Sequence, residues 1–299
     1  MSRGILSMAG SGTPLQAEYD RLVRRLLERS ETSPERTPDD HLVGEYDPQV
    51  RTMVAGNWRA RMRQEHHSAA VFAGMLPDSM RASVPVDIKM ALLRASMDEL
   101  RHAVLCASVA QMLDGVDELE CELEPAPQAE HEGVSTEQAF LRNIFFVGCL
   151  SETVAVALLT DERDACEEPF VRRVLTQLLG DETLHARIGW IWLQTLWPRL
   201  PSHEQRQMND YLRVALGYYE QCMLQATSGP PVPPSWLQQA RRIGFADSGV
   251  SRELFHEAME HVVLPRLDEI GLEGSAAWRE RNLQCTTSVG STTLVGGAS

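Results

Sequence analysis

Residues 97–113 read MDELRHAVLCASVAQML, and residues 179–193 read LGDETLHARIGWIWL. Each stretch carries Asp-Glu-x-x-His inside a run whose apolar residues recur in steps of three and four, the period of an amphipathic helix. On the first helix Leu92, Ala95, Glu99, His102, Cys106, Val109 and Leu113 share one stripe; on the second Val171, Leu175, Leu178, Glu182, His185, Gly189 and Leu193 do. A glutamate and a histidine are thus aimed at the same apolar interior twice. Burying such groups is costly unless something compensates them, so the duplication points to a shared site rather than to ordinary core packing.

Working outward, two further segments show the same period and the same anomaly. Trp58, Met62, Glu65, Ala69, Phe72 and Leu76 form one stripe, and Leu141, Phe145, Gly148, Glu152, Ala155 and Leu159 another. The periodicity predicts four long helices over about 57–76, 86–113, 136–162 and 168–196, each with one inward carboxylate. Pro77 and Pro85 punctuate the first connection and DERDACEEP the third, so both are tight hairpins. The second connection, DGVDELECELEPAPQAEHEGVS, is acidic, poorly suited to a core, and long enough to cross the height of a bundle. Counted from the hairpin turns at ~1.5 Å per residue, the paired glutamates fall within roughly one helical turn of the same level.

Four buried carboxylates at one level would repel one another and lose solvation. Two divalent cations balance four glutamates, and two imidazoles complete the donor set. One Glu from each of two helices plus Glu-x-x-His from each of the other two is the ligand pattern of di-iron and di-manganese four-helix bundles. Glu65, Glu99, His102, Glu152, Glu182 and His185 are therefore the candidate metal-ligating and catalytic residues. Asp98 and Asp181 precede the motif glutamates and are placed to hold the second ring nitrogens of the histidines. A third Glu-x-x-His, Glu253 to His256, has no preceding Asp and no partner pair, and reads as an exposed helix face. His66 and His67 lie off the face of Glu65 and read as solvated or packed.

Composition narrows the classes further. The 299-residue chain is 43% hydrophobic and 23% charged, ordinary for a globular protein. A formal net charge of -14 argues against sequence-independent binding to phosphate backbones. The six cysteines, Cys106, Cys121, Cys149, Cys166, Cys222 and Cys285, are scattered without CxxC spacing and read as reduced thiols. With neither a signal-peptide core at the start nor an uninterrupted apolar run of ~20 residues, the expectation is a soluble, cytoplasmic protein without membrane or nucleic-acid partners.

The expected organisation has three parts. Residues 1–56 form an N-terminal extension, loose over 1–15, with a short helix over Ala17 to Arg29 and a polar strap after it. Residues 57–272 form the helical domain, with the core bundle over 57–196 and extra helices within 204–272, about 204–226 and 250–271. Residues 273–299 form a mostly disordered tail.

On Glu65, DELRH, Glu152 and DETLH, the segment 57–196 resembles the ferritin-like di-iron carboxylate superfamily, on its oxygenase side. That resemblance implies an all-α fold: a ferritin-like four-helix bundle with a long second-to-third crossover plus flanking helices. It also implies a centre of two iron ions, manganese or a mixed pair being chemically admissible, with dioxygen as co-substrate and a small organic substrate that is hydroxylated or N-oxygenated. An electron-donor protein, ferredoxin-like or a flavin reductase, is implied as a partner, and a homodimer is one open assembly. The arylamine N-oxygenases of this superfamily carry an additional His where this chain has Leu178. Ribonucleotide reductase small subunits carry a radical tyrosine where this chain has Cys106, whose other reading is a small buried core residue. The competing function is a ferroxidase or peroxide-handling iron protein, against which stand the extra helices after residue 196. Ser68, Ala69, Gly148, Ala155 and Gly189 either leave space beside the site or let helices approach closely, and Phe72, Phe145 and Phe146 would make such a space apolar.

Overall fold

In the computed structural model, residues 3–7, 45–82, 84–116, 118–122, 129–229 and 231–281 are described. The expected helix over Ala17 to Arg29, the strap after it and the tail beyond residue 281 lie outside them. Among the described residues the fold is all-α apart from one two-stranded ribbon. Its bundle helices are α1 (Pro48–Gly74), α3 (Val86–Asp114), α4 (Thr136–Ala165) and α5 (Pro169–Leu196), with the short α2 (Leu76–Arg81) between α1 and α3. Two hairpins and one long second-to-third crossover give the bundle ferritin-like connectivity. The crossover carries β2 (Glu118–Glu122), paired antiparallel with β1 (Arg3–Ser7) so that Ile5 faces Glu120. Part of the N-terminal stretch expected to be loose is therefore a strand.

Local chemistry sets the helix ends. α1 begins at Pro48, earlier than the predicted 57, because the Asp47 side chain accepts from the Gln49 amide at 2.7 Å and Pro48 needs no amide partner in the first turn. Glu168 caps α5 in the same way through the Val171 amide at 2.6 Å, again followed by proline. α3 stops at Gly115, whose φ of 79° is the left-handed conformation that glycine adopts without a Cβ penalty. α4 is long and apolar enough to cross a membrane by length and composition alone, but 61% of its apolar window is buried inside the protein.

Beyond the bundle lie α6 (Ser202–Ala226), α7 (Pro234–Arg242), α8 (248–270) and α9 (Gly274–Arg279). α9 falls in the stretch expected to be a tail; Ala277 and Trp278 are buried there and anchor it. Two apolar clusters form the core. One holds α4, the C-terminal half of α5 and the flanking helices around Phe145, Trp190 and Phe255. The other holds the N-terminal half of α1, the C-terminal half of α3 and the start of α5 around Trp58, Leu113 and Phe170.

Candidate metal centre

Glu65 stands on α1, Glu99 and His102 on α3, Glu152 on α4, and Glu182 and His185 on α5. The fold brings all six together. Their donor atoms fall into two groups whose members lie within 4.8 Å of one another: Glu65, Glu99, His102 and Glu182, and Glu99, Glu152, Glu182 and His185. Glu99 and Glu182 belong to both groups. Each group has one further carboxylate and one imidazole of its own, so the set is pseudo-symmetric, with two carboxylates between two His-bearing ends.

The histidines point the same ring nitrogen inward. His102 Nδ1 lies 3.2 Å from Glu182 and 3.6 Å from both Glu65 and Glu99. His185 Nδ1 lies 2.8 Å from Glu182 and 3.2 Å from Glu99. The opposite nitrogens meet aspartates from the other motif: His102 Nε2 is 3.1 Å from Asp181, and His185 Nε2 is 3.6 Å from Asp98. The approach is thus crossed between α3 and α5, hydrogen-bonded at His102 and longer at His185.

Several positions that sequence reasoning passed over complete this layer. Arg101, itself buried, reaches Asp181 at 2.5 Å and Asp98 at 3.2 Å, tying the two supports together. Arg94 donates to both oxygens of Asp98 at 2.8 Å, and Gln177 donates to Asp181 at 2.7 Å. Both precede their aspartate by one helical turn, so the i,i+4 spacing was the available signal.

Electrostatics follows from crowding. Burial, reinforced by Glu99 and Glu182, pushes Glu65 up to about 8 despite its contact with His102. Burial and the facing Glu182 and Glu99 raise Glu152 well above the usual carboxylate range. Burial also opposes the charge on Glu182, yet His102 and His185 outweigh it and hold that carboxyl well down. Both histidines are raised well above their ordinary value, the carboxylates around them overcoming burial. At Asp181 burial is again overcome, by His102, Gln177 and Arg101, which hold it down to about 2.

This donor set fits two divalent cations. Four carboxylates match four positive charges, and His102 Nδ1 and Glu99 Oε1 are buried without a well-formed hydrogen bond, as atoms that donate to a metal would be. Glu65, which burial and its neighbours hold protonated, would be ionised beside such ions.

The small residues near the site divide. A Cβ on Gly148 would lie 2.8 Å from the Gly189 Cα, and one on Gly189 would lie 2.7 Å from the Gly148 carbonyl carbon. These glycines serve close approach of α4 to α5, one turn from Glu152 and from His185. The approach occurs inside a π-helical segment, Phe145–Ser151, which ends immediately before Glu152. Such a turn inserts an extra residue and re-aims the side chains after it. Trp190 then ties α5 to α4 by donating to Thr153 at 3.0 Å. Phe72 packs against His185 with ring centroids 5.4 Å apart, whereas Phe145 and Phe146 pack on Tyr211, Tyr218 and Tyr219 of α6.

Leu178 is fully buried one turn before Glu182. Cys106 is buried as a free thiol, which burial raises well above its ordinary value. Below it, Arg61 and Glu162 make a buried ion pair at 2.6 Å. His66 and His67 are half-buried and outside both donor groups, as are Glu253, which is exposed, and His256, which lies 4.0 Å from Glu220.

No family model matches the chain, and no curated protein matches it in sequence. Among solved structures, it is similar to a protein from Synechococcus described as having aldehyde deformylating oxidase activity. The identity is 16%, the match covers 77% of this chain and 95% of that one, and the TM-score is 0.48.

Proposed function

We propose that this protein is a di-iron oxygenase that uses dioxygen to oxidise a small organic substrate. The observation that carries the reading is the sharing of Glu99 and Glu182 by two donor groups, each completed by one further carboxylate and one histidine. Carboxylates and imidazoles without thiolates suit iron in a redox role. Iron held by Glu65, Glu99, His102, Glu152, Glu182 and His185 would, when bound and reduced, supply the electrons for dioxygen activation. Insertion of one oxygen atom into a C–H or N–H bond, with the other leaving as water, consumes two electrons and two protons, so a ferredoxin-like or flavin-dependent donor is part of the proposal.

The protein's own contribution is positioning. Asp181 accepts from His102 Nε2–H and fixes the tautomer that presents Nδ1 to the carboxylates. His102, Gln177 and Arg101 together hold Asp181 ionised, and Arg101 links α3 to α5. Phe72 packs on His185 and helps keep water from it, which strengthens the charge interactions inside.

Oxygen consumption by iron-loaded, chemically reduced protein tests the reading. The expected result is slow, limited uptake alone and faster uptake coupled to product formation when candidate amines, aldehydes or aromatic substrates are added. Rapid, repeated iron oxidation with growth of a mineral core would overturn it in favour of iron handling.

A further inference from the structure

The outward face of α3 is apolar where that of a solvated helix is polar. Val86, Met90, Leu93, Met97, Leu100 and Val104 are 67%, 64%, 46%, 44%, 48% and 48% exposed. Their spacing alternates four and three residues without a break, the heptad seam by which one helix packs along another. This stripe is separate from the inward one that carries Glu99 and His102. The outward positions of α1, by contrast, include Arg63 and Gln64.

The patch extends onto α5. Because Asp98 faces His185 while His102 faces Asp181, α3 and α5 run antiparallel. That sets Leu184 and Ile191, 51% and 50% exposed, at the levels of Leu100 and Leu93. Together these side chains expose roughly 700 Å² of apolar surface, above the ~300–600 Å² of the largest patch on a typical monomer and close to the ~800 Å² each partner contributes to a standard interface.

We infer that this face is the contact between two copies of the chain, α3 against α3 in antiparallel orientation about a twofold axis near Ala95. The stripe is self-complementary in that sense. Read against its own reverse, it sets Val86 opposite Val104, Met90 opposite Leu100 and Leu93 opposite Met97, so each pairing is of matched size. An isologous contact requires this. Charge agrees: in a chain of formal net charge -14 a contact surface free of acid adds no local repulsion, and from Met90 to Val104 the exposed face presents no carboxylate, Asp87 lying at its end. Arg94, 50% exposed beside Leu93, would be covered, removing water from the ion pair with Asp98 behind His185.

Sedimentation of the full chain at micromolar concentration, with and without metal, tests the inference independently of the metal chemistry. The wild type is expected at twice the 33.4 kDa chain mass, and Leu93→Glu at the mass of one chain with unchanged helical circular dichroism. Orientation is read separately. A mixture of Val86→Cys and Val104→Cys proteins should form an interchain disulfide under oxidation that neither variant forms alone. A monomeric wild type, a Leu93→Glu variant that remains dimeric, or cross-linking of Val86→Cys with itself would each overturn the inference.

Discussion

His102 and Asp181 face each other across α3 and α5, Nε2 lying 3.1 Å from the carboxylate, while Asp98 and His185 make the reciprocal approach at 3.6 Å. Asp181 therefore completes the other motif's histidine with a hydrogen bond, whereas Asp98 stands beside His185 Nε2 without forming one. The register of the two helices is held by the Asp181–His102 contact and by Arg101, which reaches both aspartates.

The unequal distances predict unequal losses. Asp181→Ala removes an acceptor within hydrogen-bond reach and should weaken metal binding 10–100-fold, in line with other losses of a histidine's outer partner. Asp98→Ala removes a longer contact and should cost less. Competition titration with a chelator of known affinity checks the order, and a larger loss for Asp98→Ala would contradict it.

Proton linkage gives a pH prediction with a definite sign. Without metal, His102, His185, Glu65 and Glu152 all hold protons more tightly than they would unfolded, Glu65 up to about 8 from an ordinary 4.5. A folded state that binds extra protons loses stability as pH rises, so the metal-free protein should melt lower at pH 8 than at pH 6. Ligation requires those protons to leave, so metal affinity should rise over the same interval and binding should release protons. Thermal melts with and without chelator at the two pH values, and calorimetric titrations in buffers of different ionisation enthalpy, measure both. Glu182 and Asp181, held down, are ionised throughout this window, and His67 and His131, lowered chiefly by burial, oppose the trend but are outnumbered by the four raised groups.

Gly148→Ala should destabilise by about 1–3 kcal/mol, since its Cβ would press on the backbone of Gly189 and overpacking of that kind forces the helices apart. Gly180→Ala, on the exposed face of α5 with nothing within 4 Å, should instead stabilise by up to ~1 kcal/mol through helix propensity. Opposite shifts in melting temperature are expected. A Gly148→Ala protein as stable as wild type would show that α4 and α5 can separate freely there.

The buried pair of Arg61 and Glu162 supplies a fourth prediction. Glu162→Ala leaves the Arg61 guanidinium, 16% exposed in its side chain, without its partner and should cost roughly 3–5 kcal/mol. Replacing both by leucine should recover most of that loss in a denaturant titration.

The bundle was legible because its signals are periodic: four stripes, two proline-marked hairpins and one long crossover. The six donor residues were legible because each breaks an apolar stripe at a matching level. What the sequence did not disclose depends on geometry across elements. Composition does not announce a π turn before Glu152, and Gly148 and Gly189 admitted both open space and close contact until α4 and α5 were seen to touch there. Phe145 and Phe146 were expected near the site but pack on α6, which periodicity within α4 alone could not show. Arg101 sits between Leu100 and His102 in the motif itself, yet its link to Asp181 spans two helices. The strand pairing of Arg3–Ser7 with Glu118–Glu122 joins segments far apart in the chain; Glu118, Leu119, Glu120, Cys121 and Glu122 alternate as a strand does, but nothing in so short an acidic run names its partner.

The most direct test of the central claim is the Mössbauer spectrum of protein loaded with iron-57 and oxidised. Two irons per chain sharing Glu99 and Glu182 predict a diamagnetic, exchange-coupled ferric pair. Magnetically isolated ferric ions, or one iron per chain at saturation, would contradict it.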